Sequence, residues 1–193
     1  MSNQVSGAQA FDKTQRAKIV FSDEALKTVQ KIITRYPEGK HKSALLPVLH
    51  IAQAEFGGWL SPETMDYVAS VLKIKPIEVF EVASFYSMYN LKPVGKCNLE
   101  VCRTSSCWSR GSEDIVKYLE KKLGVKVGET TSDGMFTIKT VECLGSCGGA
   151  PMLQCGSSFH ENLTLEKVDT IVENYRMEGK QKSYTDLDYK NTL

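Results

Sequence analysis

The first half of the chain carries hydrophobic residues at the three- and four-residue spacing of amphipathic helices. Each of the four patterns begins at a residue that favours a helix start, either a capping serine or a proline of the first turn. These starting residues are Ser22, Ser43, Ser61 and Pro76. The first pattern ends before Pro37 and the fourth ends near Tyr89. The sequence therefore predicts a bundle of four short helices over residues 21–92.

The second half alternates between strand-like and helix-like patterns. Strands are predicted over residues 98–101, 136–141 and 151–155, and helices from residue 111 to Gly124 and from Thr164 onward. This order of elements predicts a small α/β unit over residues 96–177, so the whole chain is assigned to the α+β class. Residues 1–20 and 178–193 are mostly polar and are predicted to form a flexible arm and a tail.

Composition and charge narrow the classes of function. The 193 residues include 24 Lys and Arg against 23 Asp and Glu, a net charge of +1. This balance argues against nucleic acid as a partner, because phosphate binding requires a clustered excess of basic residues. No apolar run approaches the roughly 20 residues that span a bilayer, so no membrane insertion is predicted. The first 16 residues lack the apolar core of a secretion signal and show no evident mitochondrial transit peptide.

Six cysteines in a chain without a secretion signal indicate metal or redox chemistry rather than disulfides. Four of them form two motifs, C-x4-C at Cys102 and Cys107 and C-x3-C at Cys143 and Cys147, separated by 35 residues. Each motif follows a predicted strand, so the four thiols would converge if those strands are neighbours in one sheet. Three glycines surround Cys147, and they allow backbone N–H groups to approach sulfur closely.

Three interpretations fit the spacing of these four cysteines. A 2Fe-2S cluster suits the wide gaps and the pocket rich in glycine and hydroxyl groups. A structural zinc site with four thiolates tolerates the same gaps. Buried free cysteines or disulfides are the third interpretation. The remaining two cysteines, Cys97 and Cys155, lie outside the motifs and are predicted to be small buried residues of the core.

Several other residues have both a functional and a structural interpretation. Trp108 either shields the metal site or packs in the core, and Arg110 either lowers the cost of a reduced site or is solvated. Phe85 is predicted to lie in the core of the bundle, whereas Tyr89 could face the core or a partner. The three histidines do not form a ligand pair and are given no metal role; they are His41, His50 and His160.

No residue of this chain is predicted to be catalytic. The sequence contains no G-x-G-x-x-G dinucleotide motif, no P-loop and no pairing of a nucleophile with a base. A thioredoxin-like enzyme acting by thiol exchange would require a C-x-x-C motif, which is also missing. The residues therefore predict outer-sphere electron transfer or a zinc-stabilised scaffold rather than bond-making chemistry.

Five segments closely resemble one family of proteins. They are VASFYSMY at positions 82–89, VCRTSSC at 101–107, FTI at 136–138, VECLGSC at 141–147 and APM at 150–152. The family is the thioredoxin-like 2Fe-2S subunit of the NADH-dehydrogenase module of respiratory complex I, that is, of NADH-quinone oxidoreductase. Its mitochondrial version is called flavoprotein 2. The resemblance extends over about residues 22–177 and favours the iron–sulfur interpretation.

The resemblance implies a helical N-terminal part, a thioredoxin-like ferredoxin domain over residues 96–177, and one 2Fe-2S cluster. The family's ligands fall on Cys102, Cys107, Cys143 and Cys147. FMN and NADH are implied to bind to a partner subunit, with further iron–sulfur subunits in the same complex. The complex would place the chain at the inner face of the cell membrane, or on the matrix side in a mitochondrion. The same module occurs in NAD(P)-linked hydrogenases and formate dehydrogenases, which are the alternative parent complexes.

Overall fold

The computed structural model describes residues 19–182, so most of the predicted arm and tail lies outside the described residues. The helices within this range are α1 (Asp23–Ile33), α2 (Leu45–Glu55), α3 (Pro62–Leu72), α4 (Pro76–Phe85), α5 (Ser105–Ser109), α6 (Ser112–Leu123) and α7 (Leu165–Glu178). The strands are β1 (Cys97–Cys102), β2 (Phe136–Val141), β3 (Leu153–Cys155) and β4 (Ser158–His160).

Helices α1 to α4 form the predicted bundle. Ser22 Oγ accepts a hydrogen bond from the backbone N–H of Ala25 at 3.3 Å, and Ser61 Oγ accepts one from that of Thr64 at 3.1 Å. These caps satisfy N–H groups that have no partner inside the helix. Apolar side chains of all four helices meet in one core, which includes Val29, Val48, Leu49, Val68, Leu72 and Val79. The prediction for α4 is four residues too long, because the backbone becomes extended at Tyr86.

A four-stranded sheet with the order β2-β1-β3-β4 follows the bundle. Strands β1 and β2 are parallel, whereas β3 is antiparallel to both β1 and β4. Helices α6 and α7 pack against each other and α6 contacts β1 and β2. The core between them and the sheet contains Leu99, Val101, Leu119, Phe136, Ile138, Leu153 and Val172. The architecture confirms the predicted α+β class, a helical part followed by an α/β part.

Two short elements escape prediction from the sequence. Helix α5 has five residues and β4 has three, so neither contains enough residues to show a periodic pattern. Helix α5 is important for the site because it carries Cys107. Within residues 19–182 no helix combines the length and the apolar character needed to cross a membrane.

Polar contacts join the bundle to the sheet. Ser87 Oγ donates a hydrogen bond to the carboxylate of Glu142 at 2.6 Å, just beyond the end of β2. Lys139 Nζ donates to Asn90 Oδ1 at 3.1 Å and to the backbone oxygen of Ser87. The connection passes so close to β2 that a Cβ atom at Gly95 would lie 2.9 Å from the backbone of residues 135 and 136. These contacts bring the end of the bundle beside the first cysteine of the second motif.

Candidate metal centre

The two cysteine motifs lie at the same edge of the sheet. Cys102 is the last residue of β1 and pairs in register with Val141 at the end of β2. Cys107 lies in α5, Cys143 follows β2 by two residues, and Cys147 begins a 3-10 turn, Cys147–Gly149. Because β1 and β2 are parallel, their carboxyl ends point to one edge. The two strands are neighbours in one sheet, so the loops that carry the two cysteine motifs lie at the same edge.

The first motif forms a buried pair of thiols, which we call the inner pair. Cys102 is 1% exposed and Cys107 is 2% exposed, and both pack with Ala150 and Met152. Leu144 of the second motif also packs against this small cluster. Cys102 Sγ lies 3.3 Å from the hydroxyl oxygen of Thr104. Apolar packing therefore fixes the inner pair in position.

The second motif forms an exposed pair of thiols, which we call the outer pair. The Sγ atoms of Cys143 and Cys147 are 3.6 Å apart. The backbone N–H of Gly145 donates to Cys143 Sγ at 3.4 Å, from a residue with a φ of 84°. That left-handed conformation favours glycine, which explains the residue type at this turn. Both thiols of the outer pair are accessible to solvent.

Burial and hydrogen bonds act together on the pKa values of the inner pair. Burial opposes the ionisation of Cys102, but hydrogen bonds from Thr104 and from the backbone N–H of Leu144 outweigh it, so its pKa lies below 9.0. Burial and the adjacent Cys102 thiol raise the pKa of Cys107 to about 11. Cys102 therefore ionises more readily than an ordinary thiol, whereas burial, followed by the neighbouring Cys102, opposes the ionisation of Cys107.

The outer pair behaves in the same way for a different reason. The backbone N–H of Gly145, followed by the neighbouring Cys147 thiol, lowers the pKa of Cys143. Cys143 in turn raises the pKa of Cys147. Burial contributes little here, since these thiols are exposed. Each pair thus combines one thiol of lowered pKa with one of raised pKa.

Two hydroxyl groups connect the pairs across the gap between the loops. The Thr104 hydroxyl interacts with Cys143 as well as with Cys102, and the Ser106 hydroxyl interacts with Cys147. Both residues belong to the first motif. The sequence indicated a pocket rich in hydroxyl groups, but only the fold shows which thiol each hydroxyl contacts.

The separation of the two outer thiols is compatible with metal binding. Two thiolates on one tetrahedral metal ion at about 2.3 Å lie roughly 3.7 Å apart, which the outer pair matches. Among residues 19–182 no group of three or more His, Cys, Asp or Glu side chains is assembled tightly enough to hold an ion. A zinc site needs all four thiolates around one ion, whereas a 2Fe-2S cluster takes two thiolates on each iron. The spacing of the outer pair is compatible with two thiolates on one metal ion, an arrangement that occurs both in a 2Fe-2S cluster and in a zinc site.

The other cysteines and the residues of α5 are also placed by the structure. Cys97 and Cys155 are fully buried and free, as predicted for core residues. Trp108 is 63% exposed, so the interpretation as a core residue is wrong. Arg110 is exposed, in agreement with the solvated interpretation.

The prediction for Phe85 is wrong, because this side chain is 79% exposed at the end of α4. Tyr89 is buried instead, and its hydroxyl donates to the backbone oxygen of Leu46 at 2.9 Å. His160 lies on β4, with Nε2 2.9 Å from the Tyr175 hydroxyl. The loop between β2 and β3 carries the outer pair and is called the outer loop. One of its contacts was not predicted: the carboxylate of Glu161 accepts a hydrogen bond from Ser146 Oγ.

The chain matches known proteins over most of its length. Residues 29–176 match the family model described as thioredoxin-like [2Fe-2S] ferredoxin. The E subunit of the NADH-quinone oxidoreductase of Rickettsia felis is 44% identical over 160 residues, which cover 83% of this chain and 96% of that protein. The mitochondrial NADH dehydrogenase [ubiquinone] flavoprotein 2 of Dictyostelium discoideum is 44% identical over 162 residues, 84% of this chain and 66% of that protein.

A solved structure shares the fold. The NAD+-reducing [NiFe]-hydrogenase in its H2-reduced state superimposes with a TM-score of 0.60 over 69% of this chain and 22% of the hydrogenase chain. The two sequences are 19% identical over this match. Identity at this level shows a common fold and carries no argument about function.

Proposed function

The chain belongs to the family of thioredoxin-like [2Fe-2S] ferredoxins, and on this basis we propose that it is the electron-transfer subunit of an NADH-quinone oxidoreductase. In this function it holds one 2Fe-2S cluster beside the flavin of an NADH-oxidising partner. It acts as part of the oxidoreductase complex and does not oxidise NADH by itself. The bacterial relatives that carry this name match over 96% of their own length, which supports the same role for this chain.

The observation that carries the proposal is the presence of two thiol pairs at one edge of the sheet. Cys102 and Cys107 of the inner pair and Cys143 and Cys147 of the outer pair would together hold the cluster. When bound, such a cluster accepts and returns one electron. The backbone N–H groups of Leu144 and Gly145 and the Thr104 hydroxyl donate toward sulfur and stabilise negative charge there.

The inner and outer pairs have different roles in this function. Ala150 and Met152 keep water away from the inner pair and hold it in place. The outer pair is accessible, so it lies on the side from which an electron-transfer partner can approach. Exposed aromatic side chains at the end of the bundle and on α5 support a docking surface on the same molecule; they are Phe85, Tyr86 and Trp108.

Assembly with partner subunits fixes the location of the chain. The flavin- and NADH-binding subunit is the direct partner, and further iron–sulfur subunits belong to the same complex. The chain thereby lies at the inner face of the membrane without inserting into it. The surface of the bundle near Phe85 supports contact with a partner subunit, because residues 19–182 leave apolar area exposed there.

The first experiment identifies the metal. The full chain is purified without oxygen, and its iron, zinc and sulfide are measured beside its visible absorption spectrum. Two irons and two sulfides per chain with a brown colour are expected. A colourless protein with one zinc ion per chain would overturn the proposal in favour of a scaffold.

The second experiment identifies the electron donor. NADH is mixed with the purified chain in a stopped-flow instrument, and the absorption of the cluster is followed. No bleaching is expected until the flavoprotein partner is added, because the sequence carries no dinucleotide motif. Bleaching by NADH alone would show that the donor site lies on this chain.

A further inference from the structure

The segment after β4 contacts the outer loop through Glu161. Glu161 is the first residue after β4, and its carboxylate accepts a hydrogen bond from Ser146 Oγ. Ser146 directly precedes Cys147 and lies between the two thiols of the outer pair in the sequence. The contact therefore joins a carboxylate to the part of the loop that determines where Cys147 lies.

The backbone around Glu161 is fixed independently of its side chain. The N–H of Asn162 donates to the backbone oxygen of Gly149 at 2.6 Å, and that of Leu163 donates to Pro151 at 2.9 Å. Lys167 Nζ of α7 lies 3.4 Å from the backbone oxygen of Glu161. Because these bonds involve backbone atoms of residues 161–163, replacing the Glu161 side chain leaves them in place.

The stem of the side chain also packs on the outer loop. A Cβ atom at Gly149 would lie 2.6 Å from Glu161 Cδ and 2.7 Å from Glu161 Cβ. The residue at 149 is a buried glycine, which permits this close approach. Glu161 therefore contacts the loop on both sides of Cys147, at Ser146 by a hydrogen bond and at Gly149 by packing.

From these contacts we infer that Glu161 is a positioning residue for the outer pair and that its charge sets the reduction potential of the site. The inference rests on the proposed function. The carboxylate orders the loop through Ser146, which keeps Cys147 directed toward its metal. Its negative charge opposes the gain of an electron nearby, so it lowers the reduction potential.

The test uses four full-length variants, Glu161→Ala, Ser146→Ala, the double variant and Glu161→Gln. The matched control is Glu173→Ala, which removes an exposed carboxylate of α7 whose nearest basic group is Lys122, 3.9 Å away. The loss of the cluster to an iron chelator is followed by its visible absorption. Glu161→Ala and Ser146→Ala are each expected to shorten the half-life about tenfold, a loss typical for partners of metal ligands. The double variant should be no worse than Glu161→Ala, because Ser146→Ala removes only a hydrogen bond that Glu161→Ala already removes.

The second measurement separates positioning from general stability. Glu161→Gln keeps the length and the hydrogen-bond acceptor but removes the charge. Its cluster is expected to survive the chelator as long as that of the parent chain, while its reduction potential rises. Glu173→Ala should change neither quantity. A merely structural role of Glu161 would leave the potential of the Gln variant unchanged and would contradict the inference about charge.

The third measurement does not depend on the cluster. Amide hydrogen exchange of the metal-free chain reports the order of the loop through the N–H groups of Gly149 and Ala150, which donate to residues 146 and 147. Faster exchange is expected in Glu161→Ala and Ser146→Ala but not in Glu173→Ala. Equal exchange and equal cluster lifetime in Glu161→Ala and Glu173→Ala would overturn the positioning role. A parent chain that binds no iron would overturn the proposed function, and the exchange data would still decide the role of Glu161.

Discussion

The thiols of the inner pair and those of the outer pair are held in position in different ways. Cys102 and Cys107 are nearly inaccessible and are packed against apolar side chains. Cys143 and Cys147 are exposed, and their loop is held by a hydrogen bond from the backbone N–H of Gly145 to Cys143 and by one from Ser146 to the carboxylate of Glu161. The inner pair would keep its position in the metal-free chain because the core maintains it. The outer pair depends on contacts that water can replace.

This difference explains how one site can be both stable and accessible. In the proposed function, the buried thiol pair would protect the cluster from loss, and the pair on a surface loop would bring the cluster close to a partner. Local order should follow the same division, because exposed loops with few apolar contacts open more easily than core strands. In the proposed function, the electron-transfer partner thus approaches the outer pair, where the lack of apolar packing destabilises the fold least.

The largest expected effect comes from removing a ligand. Each of Cys102→Ala, Cys107→Ala, Cys143→Ala and Cys147→Ala should abolish a normal cluster, because the loss of one thiolate leaves an iron with an incomplete set of ligands. The metal-free forms should differ, however. The two inner variants lose buried side-chain area and should unfold about 1 kcal/mol more easily, whereas the two outer variants should match the parent chain. Iron analysis and urea unfolding of the metal-free proteins measure the two effects.

The cysteines outside the motifs are the controls for this experiment. Cys97→Ala and Cys155→Ala remove fully buried thiols, so they should lower stability like the inner variants while keeping the normal iron content. Loss of iron in Cys155→Ala together with normal iron in Cys147→Ala would show that the ligand assignment is wrong. Equal unfolding of the inner and outer variants would remove the physical distinction between the pairs.

A smaller effect is expected from removing the helical bundle. The bundle touches the outer side of the site through Ser87 and Glu142, next to Cys143. A chain that begins near Val94 keeps all four ligands and should still bind two irons. It should bind the flavoprotein partner at least about tenfold more weakly, since exposed aromatic residues often dominate the affinity of an interface. Iron content and a pull-down with the flavoprotein measure the two properties.

A full-length variant makes this prediction independent of the truncation. Phe85→Ala removes a side chain that is 79% exposed, so it should weaken the binding of the partner without affecting folding or iron content. Equal binding of the parent, the truncated chain and Phe85→Ala would mean that the cluster domain carries the interface alone. Loss of the cluster on truncation would mean that the bundle and the sheet fold as one cooperative unit.

The comparison of the pairs also shows what the sequence can predict. The four helices of the bundle, β1, β2, α6 and α7 follow from hydrophobic periodicity and from capping residues, because these signals are local. The motif spacing located the four thiols for the same reason. Short elements such as α5 and β4 lack a period, and the contact of Glu161 with Ser146 joins residues 15 positions apart in a way that no local pattern encodes.

The error at Phe85 has a simple geometric cause. Val79 and Ala83 are four residues apart and define the buried side of α4. Phe85 lies two residues beyond Ala83, which is about 200° around the helix at roughly 100° per residue. Its side chain therefore leaves the core despite its hydrophobicity. Tyr89 returns to the core because the chain leaves the helix at Tyr86, a change of direction that helical spacing cannot predict.

The smallest expected effect concerns pH and the contact between β4 and α7. Burial lowers the pKa of His160 below 6.5, although the charge of Glu178 acts in the opposite direction. A folded-state pKa below the unfolded value means that His160 favours the folded state fully above pH 6.5. As the pH falls below 6.5, the unfolded chain binds a proton that folded His160 resists, and the free energy of unfolding decreases.

His160→Gln tests this prediction, since a glutamine does not titrate and can still form a hydrogen bond with the Tyr175 hydroxyl, which lies 2.9 Å from Nε2. Urea unfolding of the metal-free chains between pH 7 and 5 should show a shallower loss of stability in the variant than in the parent. Metal-free proteins are required, because protonation of the cluster's thiolates would otherwise add its own pH dependence. Identical slopes would mean that His160 binds its proton equally well in the folded and unfolded chains. The pH dependence of folding would then have to originate elsewhere, and comparing the inner and outer cysteine variants over the same pH range would show whether the loops contribute to it.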